Sequence, residues 1–183
     1  MPLDLTEECI SSEIIASGGM LTVMRDQVRL PHGHVGQREY VIHPGAVVVV
    51  PMLANGHVIL ERQFRYPLRR VFIELPAGKI DTGEDTLATG KRELLEETGY
   101  RASHWVKLGA VHPCIGYSNE VIHVYLAYGL HAGEHRPDED ESLEVFEQGF
   151  TETLDQIQSG AITDAKTIAA LFLAERYIRN NPL

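Results

Sequence analysis

Residues 76–100 read PAGKIDTGEDTLATGKRELLEETGY, and they crowd Glu84, Glu93, Glu96 and Glu97 into one short segment. Helical character begins only after Gly83, where Glu84 and Asp85 suit a first turn beside the positive end of a helix dipole. Thr98 is the expected last residue, with Gly99 as the stop. The surroundings of this helix are strand-like. "MLTVMRDQVRL" and "GQREYVIH" are rich in β-branched and aromatic residues and flank the turn-like "PHGH", which predicts an antiparallel pair. "AVVVVPML", "HVILERQFRY" and "VFIEL" follow, broken by the hairpin signal Asn55-Gly56 and by Pro67. After the helix, "HWVKLGAV", "EVIHVYLAYG" and "LEVFEQGF" read as further strands. Two helices, over 151–159 and 164–179, close the chain, the second with Ile168, Leu171, Phe172 and Ala174 as apolar positions. One helix among strands and two at the end give an α+β class, built as an α/β/α sandwich.

A formal net charge of −10 on 183 residues, with basic residues only as pairs or singles, disfavours nucleic acid as a partner. A small anionic molecule stays compatible, because a bound divalent metal reverses the local field. Cys9 and Cys114 stand far apart and support neither a disulfide framework nor a cysteine zinc site. The acidic start "MPLDLTEECISSE" has no basic-then-apolar leader, and "AVVVVPML" is strand-sized, so no membrane association is expected and the cytoplasm is the expected compartment.

On the helix, Glu93 shares a face with Glu96 and Glu97, and Arg92 lies beside Glu96. Uncompensated like charges at this spacing cost about 0.2–0.5 kcal/mol per pair, so the segment is either a solvated face or a cradle for a cation. Hard carboxylate oxygens on a rigid helix behind a glycine turn suit Mg²⁺ or Mn²⁺. Gly90, inside the helix, implies close packing against a neighbour. "TGKR" is not a phosphate-binding P-loop, since the glycine spacing is wrong and no Ser or Thr follows the lysine. His131 and His135 flank Gly133 in a loop and make no helical zinc pair, and His112 and His123 fall on or near strands as structural residues.

Gly78, five residues, Glu84, seven residues and then "RELLEETGY" resembles the Nudix hydrolase signature at every defined position, with Tyr100 where an aliphatic residue is more usual. The resemblance implies a Nudix α/β/α sandwich over 44–183 and an N-terminal antiparallel strand extension over 1–43 that serves dimerisation by strand exchange. It implies Glu93 and Glu97 as main metal ligands, Glu96 shared or assisting, and the Ala77 carbonyl as a further ligand. Arg92 and Glu84 would orient the ligands, and Gly78 would let the backbone turn so that the Ala77 carbonyl faces the metal. The cofactor implied is Mg²⁺, with Mn²⁺ as the alternative.

The remainder resembles the ADP-ribose pyrophosphatase branch, through "RQFRYP", "FIELPAGKID", "GYSNE" and "DAKTIAAL". That branch implies Arg65 and Arg38 as substrate-binding arginines and Glu74 as a contact to nucleotide or sugar, with Gly116 in a substrate loop. The base would come from "RPDEDESLEV": Glu139 and Glu141, one as base and the other as an extra metal ligand, in an order left open. "HPCIGYSNE" departs from the branch, with Cys114-Ile115-Gly116 where Ser-Pro-Gly is usual, which softens the substrate assignment. The expected reaction is hydrolysis of ADP-ribose to AMP and ribose 5-phosphate by a homodimer. The alternative is another nucleoside diphosphate sugar, a GDP- or ADP-hexose. A non-catalytic ADP-ribose sensor is disfavoured, because such a domain would be expected to lose the box carboxylates.

Overall fold

A computed structural model describes residues 3–19, 21–133 and 142–183. The chain divides into two compact units, one running to Pro44 and including Cys114–Glu120, the other made of Gly45–Pro113 and Val121–Leu183.

The first unit is a three-stranded antiparallel sheet in the order β1 (Glu8–Ser17), β2 (Thr22–Arg29), β3 (Val35–Ile42). The pair expected around "PHGH" is β2–β3, in register from Thr22 opposite Ile42 to Arg29 opposite Val35. β1 was not expected. All ten of its residues are exposed, so it carries no apolar/polar alternation from which a strand could be read. The segment 114–120 docks on β3: the Val41 N–H donates to the Tyr117 carbonyl at 2.8 Å, and the His43 N–H to the Asn119 side chain at 2.8 Å. Val28 is the only buried residue among those described in this unit.

The second unit is a mixed seven-stranded sheet. Its main path runs β10 (Leu143–Gly149), β5 (His57–Arg65), β4 (Ala46–Met52), β9 (Ile122–Ala132), β8 (Tyr100–Val111). β6 (Arg70–Glu74) pairs with β5, and β7 (Ala77–Lys79) with β4. Among the described residues of this sheet only β4–β9 is parallel. β4 explains the layering: it is buried throughout, and its alternating valines face two cores. Val47 and Val49 pack with Leu94 of α1 (Thr86–Thr98), while Val48 and Val50 pack with Ala170, Leu171 and Ala174 of α3 (Ala165–Asn180). Leu154 and Ile157 of α2 (Phe150–Ser159) join the α3 side. Full burial of each such valine or leucine contributes about 1.5–3 kcal/mol.

Three local expectations change. The helix starts at Thr86, and Asp85 is its cap rather than part of a first turn, its carboxylate accepting from the Leu87 and Ala88 N–H groups at 2.9 and 3.1 Å. Glu84 therefore precedes the helix. Phe172 is exposed, because the inward stripe of α3 is Thr167, Ala170, Leu171 and Ala174 and Phe172 lies one residue off it. Gly78 has no left-handed φ; its lack of a side chain serves a close approach described below. Gly99 does end the helix in the left-handed region, at φ 73°, and a Cβ on Gly90 would stand 3.2 Å from Val47 Cγ1 and 3.4 Å from Trp105 Cζ3, the close packing expected there.

Candidate active site

Within the second unit, α1 and the strand ends that lead to it gather the carboxylates around one cation. The Arg92 guanidinium donates to Glu84 at 3.0 and 3.2 Å, to Glu93 at 2.7 Å, to Glu96 at 2.9 Å and to the Lys79 carbonyl at 3.1 Å. Helical spacing brings Glu96 one turn below Arg92, and the turn before Asp85 folds Glu84 back over it. The hydrogen bonds to Glu84 are the main reason the Arg92 pKa is raised, and the same contacts hold the Glu84 carboxyl below the usual range. Glu84 is steadied further by the Thr89 hydroxyl at 2.8 Å.

Two of these carboxylates are nearly out of water: Glu93 is 8% exposed and Glu97 3%. Burial of a charge demands partners. Glu93 has Arg92, and Glu97 accepts from the Ala77 N–H at 2.9 Å, which ties the helix to the strand end before it. Gly78 makes the approach of Glu93 possible, since a Cβ there would overlap the Glu93 carboxylate.

A second cluster surrounds Glu74 at the end of β6. Its carboxylate, 2% exposed, accepts from Arg65 Nε and Nη2 at 2.7 Å each and also from Lys166 Nζ. Lys166 in turn donates to Asp164 at 2.9 Å, and Asp164 caps α3 by accepting from the Thr167 N–H at 3.0 Å. Thr167 Oγ1 accepts from the buried Leu75 N–H at 3.0 Å. Burial pushes the Glu74 carboxyl up, but the bonds from Arg65 and the charge of Lys166 more than reverse this and leave it below the usual range. Asp164, Lys166 and Thr167 were not singled out from sequence as site residues; the signal available was a capping Asp with Lys two positions on, at the start of an apolar-periodic helix.

The other expected site residues fall elsewhere. Arg38 and Gly116 belong to the first unit, where Arg38 pairs with Glu7 and donates to the Gln37 carbonyl at 2.9 Å, and Gly116 lies exposed in the docked 114–120 segment. Glu139 and Glu141 lie outside the described residues, as does His135.

The sequence matches the NUDIX domain over residues 42–171. The chain belongs to the Nudix family. It is 41% identical to the ADP-ribose pyrophosphatase of Bacillus subtilis (strain 168), over 91% of each chain. It is 39% identical to the methanol dehydrogenase activator of Bacillus methanolicus, over 90% of each. A crystal structure of an ADP compounds hydrolase superposes with a TM-score of 0.88 over 98% of each chain at 23% identity, which establishes the shared Nudix fold. The protein is thus a Nudix hydrolase, and such enzymes generally need a divalent metal. Among the described residues no three Asp, Glu, His or Cys side chains stand close enough to share an ion; Arg92 holds Glu84, Glu93 and Glu96 together. The donor set still fits a hard divalent cation in kind. It is all oxygen, it is nearly buried at Glu93 and Glu97, and it is bordered by a glycine whose missing side chain admits the Glu93 carboxylate. No helix among the described residues is long and apolar enough to cross a membrane.

Proposed function

We propose that this Nudix hydrolase cleaves the diphosphate of ADP-ribose with Mg²⁺, Mn²⁺ being the alternative, to give AMP and ribose 5-phosphate. The observation that carries the reading is the joining of Glu84, Glu93 and Glu96 through one guanidinium while Glu97 grips the Ala77 N–H. Glu93, Glu96, Glu97 and the Ala77 carbonyl would hold the cation, whose chemistry is to neutralise diphosphate charge. Arg92 and Glu84 orient those carboxylates. Arg65 binds the substrate, and Glu74 fixes Arg65. A water oxygen bonds to one phosphorus while the bridging P–O bond breaks, and the water's proton passes to Glu139 or Glu141, the other of the two serving the metal.

The relative from B. subtilis supports ADP-ribose as the substrate. Cys114-Ile115-Gly116, the departure from the branch's usual Ser-Pro-Gly, favours keeping a GDP- or ADP-hexose as the second reading. A panel of nucleoside diphosphate sugars, assayed by product chromatography with Mg²⁺, separates the two. Highest kcat/KM on ADP-ribose supports the first reading, and highest kcat/KM on a hexose derivative replaces it.

The working unit is a homodimer, and residues 1–43 are its dimerisation extension. β1 is exposed along its whole length, and Ile10, Ile14, Ile15, Val35 and Ile42 stand exposed on the same small sheet. A three-stranded sheet needs a covered hydrophobic face for independent stability, and a second copy of the chain is the occupant that would cover these residues. Light scattering on the eluting peak is expected to give twice the 20.4 kDa chain mass; a monomer mass at micromolar concentration removes this element.

A further inference from the structure

Arg65 is committed on one side only. Its Nε and Nη2 both donate to Glu74, and among the described residues Nη1 has no hydrogen-bond partner. The side chain is 41% exposed whereas Glu74 is 2% exposed, so the pair has a buried, fixed end and a solvent-facing end. An isolated Arg–Glu pair would be a poor anion receptor, because the carboxylate cancels the guanidinium charge at close range. Here the carboxylate is shared, and since Glu61 and Asp164 also add negative charge near Arg65, what Lys166 supplies is position. Lys166, 14% exposed, meets the same Glu74 oxygen that Arg65 Nη2 uses. Lys166 is itself held by Asp164, which cannot drift because the same oxygen caps α3.

The order of groups is thus Asp164, Lys166, Glu74, Arg65, alternating in charge from a helix cap to an exposed guanidinium. Thr167, the next residue of the same turn, binds the Leu75 N–H beside Glu74 and fixes the backbone from which the carboxylate projects. The first turn of α3 therefore holds both the side chain and the main chain at the end of β6.

We propose that Lys166 is a positioning residue for substrate binding: by fixing Glu74, it keeps the Arg65 guanidinium oriented, with Nη1 available to one phosphate oxygen of a nucleoside diphosphate. This rests on the proposed diphosphate substrate. Lys166 touches no reacting atom, so its loss falls on affinity rather than on the chemical step.

The test is calorimetric binding of ADP-ribose in EDTA, where turnover is suppressed, together with separate kcat and KM values in Mg²⁺. Lys166→Met keeps the length of the side chain and removes its charge, Lys166→Arg restores the charge, and Arg65→Ala sets the limit. Lys166→Met is expected to weaken binding and raise KM by roughly fivefold to tenfold, with most of the effect recovered by Lys166→Arg. The double variant Lys166→Met/Arg65→Ala is expected to bind no worse than Arg65→Ala alone, because both changes remove one receptor. If Lys166→Met does not fold, Asp164→Asn, which keeps the helix cap and loosens Lys166, is expected to shift binding in the same direction. Wild-type affinity in Lys166→Met, or in Asp164→Asn where that stands in, or losses that multiply in the double variant, overturn the proposal while leaving the substrate reading intact. Failure of the wild-type protein both to bind ADP-ribose and to hydrolyse any nucleoside diphosphate sugar removes the substrate reading itself, and the proposal with it.

Discussion

Replacing Glu74 by Gln keeps the side chain's shape and removes its charge. The wild-type carboxylate is buried and takes two 2.7 Å hydrogen bonds from Arg65 and a third from Lys166. Breaking a buried ion pair by removing one partner costs about 3–5 kcal/mol. Arg65 is 41% exposed, so its share is screened toward the 0–1 kcal/mol of a surface pair, and Lys166 keeps Asp164 at 2.9 Å. The expected loss is therefore about 2–3 kcal/mol. For a chain of this length that is a fall in Tm of roughly 5–10 °C. The pH dependence follows from the depressed pKa of Glu74. A carboxyl with a lowered folded-state pKa stabilises fully above its unfolded value of about 4.3 and loses that contribution as pH falls through the folded value. The gap between wild type and Glu74→Gln is thus expected to be complete at pH 7 and to narrow below about pH 4. Thermal unfolding followed by circular dichroism at pH 7, 5 and 3.5 measures it. A Tm within ~1 °C of wild type at pH 7, or a gap that does not change with pH, would refute the assignment of Glu74 as a buried, ionised hub.

Gly78→Ala places a Cβ on the Glu93 carboxylate and must displace it from Arg92; kcat/KM is expected to fall by about 100-fold, a displacement of the order of 1 Å being enough for that, and activity near wild type would show that the close approach is dispensable. Asp85→Ala removes the acceptor for two N–H groups at the start of α1 and is expected to cost about 1 kcal/mol, a Tm drop of roughly 2–4 °C, read by the same unfolding assay.

Much of this site was legible in the sequence because it is local. The i,i+4 rule alone puts Arg92 against Glu96, and Gly99 marks the helix end, as the structure has it. The helix start was two residues off for a physical reason: an Asp serves equally as cap or first-turn residue, since both satisfy the same exposed N–H groups. Gly78 suggested a turn, whereas the structure uses its missing Cβ, and spacing along a chain does not reveal which side chain from a distant turn will lean on a glycine. Glu74 and Lys166 are 92 residues apart, so no local pattern pairs them. β1 escaped notice because a strand with no buried face has no periodicity.

The central claim is that the box carboxylates drive hydrolysis of ADP-ribose, and the rate of AMP release from ADP-ribose in Mg²⁺, wild type against Glu97→Gln, tests it most directly. Turnover in the wild type with at least a ~100-fold loss in the variant is the predicted result. AMP release by Glu97→Gln at the wild-type rate, or ADP-ribose bound by the wild type with no AMP released in Mg²⁺ or Mn²⁺, would contradict it.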